Sequence, residues 1–313
     1  MKDVMYVCPK CRRDLKYLYD GSGLQCTECD SCYPIVNGKP VLLRENNDAF
    51  LAKDYIKILD EKTRRSLGLG RYLPSNSVNL AQKRVLHNYS KELDNTAGKR
   101  SILIVGSGRQ RQLLWSRLGS NPDNELLCCD VDTSADVDLF CDAHDLPFSD
   151  ETFDGVITTA VLEHVLYPER VAAEITRVLK KGGLLYSEIP FLQYVHEGAY
   201  DFTRFTLSGH RRLFNHFQQL DAGMVAGPGT ALVWSLERFS MAFCSRSSTT
   251  KLAQAVVRIM TFWIKYFDYV FSEMPAAMDG ASCTYFFGKK IESMVPDAEI
   301  IDGYVGGAHY KHT

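Results

Sequence analysis

Short continuous apolar runs, each cut off by a small or acidic residue, set the rhythm of the middle of this chain. Ile102-Leu103-Ile104-Val105 stops at Gly106 and reads as a strand buried on both faces, as a parallel sheet requires. Leu126 to Cys129, Gly155 to Thr159 and Leu184 to Ile189 predict three more such strands. Between the strands the period changes. A helix is expected through Leu113, Leu114 and Leu118. Another starts at Pro168, where Val171, Ile175, Val178 and Leu179 share a face, the proline suits the first turn, and Gly182-Gly183 follow a basic end. Strands alternating with helices predict a doubly wound parallel α/β sheet.

The flanks have other patterns. Residues 1–44 are cysteine-rich and close on two apolar strands joined at Asn37-Gly38, a hairpin-turn signal, so a small β module is expected there. Residues 45–96 turn polar and helical, with a helix expected from Asn79 to Leu93, and read as a connector. Residues 97–313 hold the sheet domain, with a late helical insertion at about 230–275. The apolar stretch from Leu252 to Phe271 is broken by Arg258, Lys265 and Asp268, which disfavours a membrane span and fits a packed helix, with peripheral membrane contact as the alternative.

Bulk numbers narrow the function. The chain has 313 residues, 45% hydrophobic, and Lys plus Arg total 36 against Asp plus Glu at 38, so no strong net field draws it to nucleic acid or anionic lipid. The first residues have no apolar core of signal-peptide length, and a cytoplasmic location is expected. The ten cysteines then point to metal ligation or buried thiols before disulfides.

Cys8-Pro9-Lys10-Cys11 and Cys26-Thr27-Glu28-Cys29 form two Cys-x-x-Cys knuckles. Four thiolates at this spacing can close tetrahedrally around zinc, and so small a module needs such a staple. Four thiolates leave no position open for water, so the expected role is structural. Cys32 reads as a neighbour of the cluster. A redox pair or simple thiol cluster is the competing reading. The module resembles the zinc ribbon of the tRNA-methyltransferase-activator type, in which a second knuckle precedes a Tyr-Pro-Ile turn, here Tyr33-Pro34-Ile35, and an apolar strand.

In an open parallel sheet, ligands sit beyond the carboxyl ends of the strands where strand order reverses. Gly106-Ser107-Gly108 follows the first strand there and Asp130-Val131 the second; Asp142-Ala143 follows a short third strand that ends just before Asp142, and Thr159-Ala160 ends the fourth, Gly155 to Thr159. The run Asp142-Ala143-His144-Asp145-Leu146-Pro147-Phe148, then Phe153-Asp154-Gly155, then Val161-Leu162-Glu163-His164-Val165 and Arg177-Val178-Leu179-Lys180-Lys181-Gly182-Gly183 resembles the second half of a class I S-adenosylmethionine-dependent methyltransferase, methyltransferase type 11 like. That resemblance covers about residues 98–192 and implies a Rossmann-like, doubly wound, seven-stranded sheet with a reversed final hairpin, from about Gln219 to Met224 and Cys283 to Gly288. It implies cofactor contacts at Gly106, Gly108, Asp130, Asp142, Ala143 and Ala160, with Ser107, Val131 and Thr159 beside them. Two positions depart from the pattern: Ile104 stands where an acidic residue is usual, and Gln110 where a third glycine is usual.

Beyond the fifth strand, the stretch from Pro190 to Thr206 resembles a loop of bacterial methyltransferases of cell-surface polysaccharide pathways. His196 is the expected base toward a sugar hydroxyl, His164 a further pocket histidine, and Asp201 and Arg204 bind polar substrate groups or order the loop. A solvated Asp201–Arg204 pair is the plainer reading. These features imply an enzyme that methylates a small or glycan-linked acceptor, by O-methylation, with S-adenosylmethionine and zinc as cofactors. Two alternatives stay open. One is an RNA methyltransferase gripping RNA through Lys10, Arg12, Arg13 and Lys16. The other is a catalytically degenerate interaction module, supported by Ile104 and Gln110.

Overall fold

The computed structural model describes residues 6–47, 49–51, 53, 55, 73–108 and 110–307. The ribbon comprises β1 (Leu15–Tyr17), β2 (Gly23–Cys26), β3 (Cys32–Val36) and β4 (Lys39–Leu42). Helix α1 (Gln82–Asp94) precedes β5 (Arg100–Val105), α2 (Arg111–Leu118), β6 (Asn124–Asp130), β7 (Leu139–Cys141) and β8 (Phe153–Thr159). Then come α3 (Pro168–Val178), β9 (Leu179–Pro190), α4 (Leu207–Leu213) and β10 (Phe217–Ala226). The insertion holds α5 (Pro228–Met241), α6 (Ser247–Thr261), α7 (Asp268–Phe271) and α8 (Pro275–Met278), and the chain closes with β11 (Cys283–Lys290) and α9 (Asp297–Asp302).

The seven domain strands lie in the order β7-β6-β5-β8-β9-β11-β10. Pairing is parallel from β7 to β9, and β11 runs antiparallel to both β9 and β10, so the sheet ends in the expected reversed hairpin. Alternation along β5 divides the core. Leu103 and Val105 pack with Val171, Ile175 and Val178 of α3 on one face. Ile102 and Ile104 pack with Val85, Leu86 and Tyr89 of α1 and Leu114 and Leu118 of α2 on the other. The centres of β5, β6 and β8 are apolar on both faces because both are covered.

The ribbon is built into this sheet. β4 pairs in parallel with β7, Val41 opposite Phe140 and Leu42 opposite Cys141, which extends the order to eleven strands and covers the edge β7 would otherwise expose. Val7 N donates to Pro147 O at 3.0 Å, and the Arg12 guanidinium reaches Glu174 of α3 at 2.7 Å. Cys8, Leu24, Tyr33 and Leu42 belong to the same apolar cluster as α3. The ribbon is therefore packed behind the loop that follows β7.

One element ends earlier than its pattern suggests. α3 stops at Val178, and Leu179, expected on its apolar face, already pairs with Phe153 as the first residue of β9. Gly182 turns within that strand at φ 72° and does not cap the helix. The late segment from α5 to α8 is helical and is anchored by Asp268, whose buried carboxylate accepts from the amides of Gly227, Gly229 and Thr230 at 2.7–3.0 Å around the start of α5. Its outer side exposes Phe243, Leu252, Met260 and Trp263. Among the described residues no helix is long and apolar enough to cross a membrane.

Candidate active site

Strand order reverses at β5, whose neighbours are β6 and β8, so a crevice opens beyond these three carboxyl ends. A cavity of about 750 Å³ occupies it. Gly106 ends β5 at φ 67°, and a Cβ there would lie 2.1 Å from a Val161 methyl, so only glycine lets the β8 turn close over this point. That turn is itself forced. Ala160 sits at φ 55°, a conformation costly for any side chain and found where function fixes the backbone.

Asp130 ends β6 facing this turn. Its Oδ2 accepts from Gly108 N at 2.7 Å and its Oδ1 from Asp132 N at 2.9 Å, leaving lone pairs toward the cavity. Burial pushes its pKa up, against these amide hydrogen bonds. Gly106, Gly108, Asp130, Val131, Asp142, Ala143 and Ala160 all line the cavity. Ser107 and Thr159 do not: both are buried in the strand ends, and the Ser107 hydroxyl has no partner.

Asp142 sits at the other side of Asp130. Its Oδ1 accepts from the backbone and Nδ1 of His144 at 2.9 and 2.6 Å, and its Oδ2 from Asn47 Nδ2 at 2.7 Å. Burial alone would raise this carboxyl; the His144 and Asn47 contacts outweigh it and hold the pKa low. Asn47 is one of several wall residues from the segment after the ribbon. Arg44 pairs with Asp145 at 2.7 Å, Phe50 stacks on Tyr200 with ring centroids 6.0 Å apart, and the Tyr55 hydroxyl donates to Val131 O at 2.5 Å. Arg44, Asn47 and Phe50 line the cavity while Tyr55 stands outside its wall; the sequence pattern assigns Arg44 to the β module and the other three to a connector, and marks none of them as site residues. No local signal marks them, because they reach the site only through the docking of β4 on β7.

At the far end of the cavity stand His164 and His196, rings edge to face with centroids 4.9 Å apart. His164 Nδ1 lies 2.7 Å from Tyr200 O, so that nitrogen donates and Nε2 keeps its lone pair, 3.6 Å from Glu163 Oε1. Burial lowers the His164 pKa. Glu163 is fully buried, neither carboxyl oxygen has a hydrogen-bond partner, and burial pushes its pKa up to about 8. The sequence run contains Glu163, but its neighbour His164 drew the attention; a charged residue within Val161-Leu162-Glu163-His164-Val165 was the available signal.

Asp201 and Arg204 lie outside the cavity wall. They form a close ion pair in which the Asp201 side chain is 1% exposed and the Arg204 side chain 22%, so the solvated-pair reading is corrected: this is a half-buried clamp. Asp201 Oδ2 accepts from His196 N at 2.8 Å, while Arg204 donates to the carbonyls of Gln193 and Tyr194 at 3.1 Å. Burial would raise the Asp201 carboxyl, yet the Arg204 guanidinium and the His196 amide outweigh it and hold it well below the usual range. Their visible work is to fix the loop that carries His196.

The two departures do not reach the wall. Ile104 is buried against α1 and α2, and Gln110 begins α2 with its side-chain oxygen accepting from Gln82 Nε2 at 3.3 Å. In the ribbon, Cys8, Cys11, Cys26 and Cys29 converge, with Cys8–Cys29 sulfurs 3.6 Å and Cys11–Cys26 sulfurs 3.4 Å apart. All four are free thiols, and separations near 3.7 Å are what four sulfurs around zinc at about 2.3 Å require. The donor set thus fits zinc. Cys32 is exposed and outside the cluster. Of the basic residues Lys10, Arg12, Arg13 and Lys16, Arg12 is committed to Glu174.

Residues 104–187 match the family described as Methyltransferase domain. A phosphatidylethanolamine N-methyltransferase of Cereibacter sphaeroides is 50% identical over 42 residues, which are 13% of this chain and 21% of that protein; the chain thus matches about a fifth of that relative's length. Among solved structures, the complex of the Haloferax volcanii Trm112 methyltransferase activator with a methyltransferase is 18% identical, covering 67% of this chain and 91% of that one, with a TM-score of 0.37. Haemonchus contortus phosphoethanolamine N-methyltransferase 2 is 16% identical, covering 66% and 52%, with a TM-score of 0.42. The residues that match this family run from within β5 to within β9, the strands whose ends build the cavity, and the four-cysteine ribbon precedes them in the chain.

Proposed function

We propose that this protein is an S-adenosylmethionine-dependent methyltransferase that O-methylates a small or glycan-linked acceptor. The observation that carries the reading is the Asp130 carboxylate at the end of β6, opposite Gly106 and Gly108, in a cavity that continues to His164 and His196. The residues present fit the cofactor. Asp130 has lone pairs for two ribose hydroxyls, Asp142 and the Ala143 backbone suit adenine, and the glycine turn admits the methionine part. The cofactor, when bound, supplies an electrophilic methyl group.

The chain's own part is alignment and proton removal. Asp201 and Arg204 hold the loop so that His196 faces the cavity beside His164. An acceptor hydroxyl held there would give its proton to His196 as its oxygen takes the methyl group that the cofactor would supply. The structural zinc belongs to the ribbon, held by Cys8, Cys11, Cys26 and Cys29. The exposed outer side of the 230–275 insertion is the surface that would meet a membrane-borne acceptor.

Calorimetric titration with S-adenosylmethionine and with S-adenosylhomocysteine tests the reading. Wild type should bind both, and Asp130→Ala should bind about a hundredfold or more weakly, since it loses two charge-assisted hydrogen bonds. Wild type that binds neither overturns it. A panel of sugar hydroxyls and of amines such as phosphoethanolamine, with methyl transfer measured on each, then decides the acceptor atom.

A further inference from the structure

The two cavity histidines share an unusual neighbour. Glu163 is completely buried with both carboxyl oxygens unpartnered, and one ligand atom each from Glu163, His164 and His196 lies within 4.8 Å of the other two. Such a carboxyl is expensive to keep unless something binds it. The histidines are oriented as ligands. His164 Nδ1 is held by Tyr200 O at 2.7 Å, and His196 Nδ1 lies 3.3 Å from Tyr194 O and 3.4 Å from Asp201 Oδ2. In both rings the partner of Nδ1 is an acceptor, so Nδ1 carries the proton and Nε2 the lone pair. Outer partners of this kind, a backbone carbonyl on one histidine and a carboxylate on the other, orient imidazoles that bind metal.

We infer that Glu163, His164 and His196 form a second metal site, for a divalent transition ion of the zinc class, at the acceptor end of the cavity. Two imidazole nitrogens and one carboxylate are the donors such ions take, and three protein ligands leave a position open. The open side faces the cavity, because His164 and His196 line it. Bonds of about 2.1 Å place neighbouring ligand atoms about 3.4 Å apart. His164 Nε2 and Glu163 Oε1 meet that at 3.6 Å, and the remaining closure falls to His196, which sits on a loop.

The site's use rests on the methyltransferase reading; its existence does not. An acceptor hydroxyl oxygen at the open position would lose its proton more readily, the proton passing to solvent water, and would then take the methyl group while the carbon–sulfur electrons return to sulfur. His196 would then serve as a ligand in place of a free base.

The test is metal content of the full-length protein dialysed against zinc, together with S-adenosylmethionine binding on the same samples. Wild type should hold two zinc ions per chain. Glu163→Gln and His196→Ala should each hold one, with the ribbon ion retained, and Asp201→Asn should weaken the second site about ten- to a hundredfold while still folding. The His196→Ala variant guards against misfolding of the buried Glu163 variant. Cobalt substitution gives a second readout: the four-thiolate ion contributes sulfur-to-metal charge-transfer absorption, and the second ion adds only ligand-field bands that His196→Ala removes. One zinc per wild-type chain, or two that survive both variants, overturns the inference. If zinc behaves as expected and the cofactor does not bind, the site stands and the methyltransferase reading falls; the reverse outcome sinks the site alone.

Discussion

The four-cysteine cluster of the ribbon and the Glu163–His164–His196 cluster of the cavity use opposite logic. The cysteines are four, enclosed in their own module, and backed by Tyr33, whose hydroxyl lies 3.1 Å from Cys8 Sγ. The other trio is three, contains a carboxyl with no hydrogen bond, and has two members, His164 and His196, that line a space large enough for ligands. A closed set of ligands stabilises a fold; an open set keeps a cost in the resting protein for use in binding.

The sharpest way to break this contrast is at the ribbon. Cys26→Ser should release the ribbon zinc and unfold residues 6–42, because structural zinc contributes about 10–16 kcal/mol to peptides of this size. Limited proteolysis should then cut within the ribbon, and the melting temperature should fall as β7 loses its partner β4. A Cys26→Ser protein that melts like wild type and resists protease in the ribbon would mean the cysteines do not hold the fold.

A third histidine separates structural from binding roles. His210 is fully buried, with Nε2 2.9 Å from Ser187 Oγ and Nδ1 3.3 Å from Thr284 Oγ1, so neither nitrogen is left for a ligand. Burial pushes its pKa down to about 3. The unfolded chain, with His near 6.5, binds more protons than the native one between these values, so stability is lost as pH falls below about 6.5, by up to ~1.4 kcal/mol per pH unit. Between pH 7 and pH 5 wild type should lose about 2 kcal/mol more than His210→Gln in urea denaturation. Equal losses would show that His210 is not kept neutral by the fold.

The trio predicts a change of opposite sign. With only the ribbon ion bound, Glu163→Met should raise stability by about 1–3 kcal/mol, the cost of a buried unpartnered polar group. Thermal melts at one zinc per chain measure it. A drop of that size would show that the carboxyl has a partner in solution, and would remove the ground for calling it an open ligand.

Sequence patterns reveal much of the sheet and less of the site. β5, β6, β8 and β9 are legible because the middle of a strand covered on both faces is a continuous apolar run, and the ribbon hairpin because Asn37 and Gly38 adopt the positive φ such turns need. Gly106, Gly108, Asp130, Asp142, Ala143 and Ala160 were legible as strand-end positions, and all line the cavity. The parallel pairing of β4 with β7 was not, since it joins segments about a hundred residues apart with no local signature; Arg44, Asn47 and Phe50 were lost with it. Ser107 and Thr159 are neighbours of lining residues, but both are buried and stay off the cavity wall, Ser107 in the turn after β5 and Thr159 as the last residue of β8. Glu163 has no strand-end signature, and its place beside His164 and His196 comes from the loop that carries His196.

The smallest effect concerns how the ribbon is attached. Arg12 reaches Glu174 at 2.7 Å but is itself half exposed, and Glu174 keeps Arg177 at 2.8 Å and the Leu146 amide at 3.0 Å without it. Removing Arg12 therefore strands no buried charge. Arg12→Ala should cost only about 0.5–1 kcal/mol, the range of an exposed pair, and a double-mutant cycle with Glu174→Gln should give a coupling of that size. A coupling several times larger would shift the docking of the ribbon from β4 and its apolar neighbours onto this single ion pair. A small value leaves the strand pairing of Val41 and Leu42 with β7 as the main attachment, which also ties the four-cysteine module to the wall of the cavity through Arg44, Asn47 and Phe50.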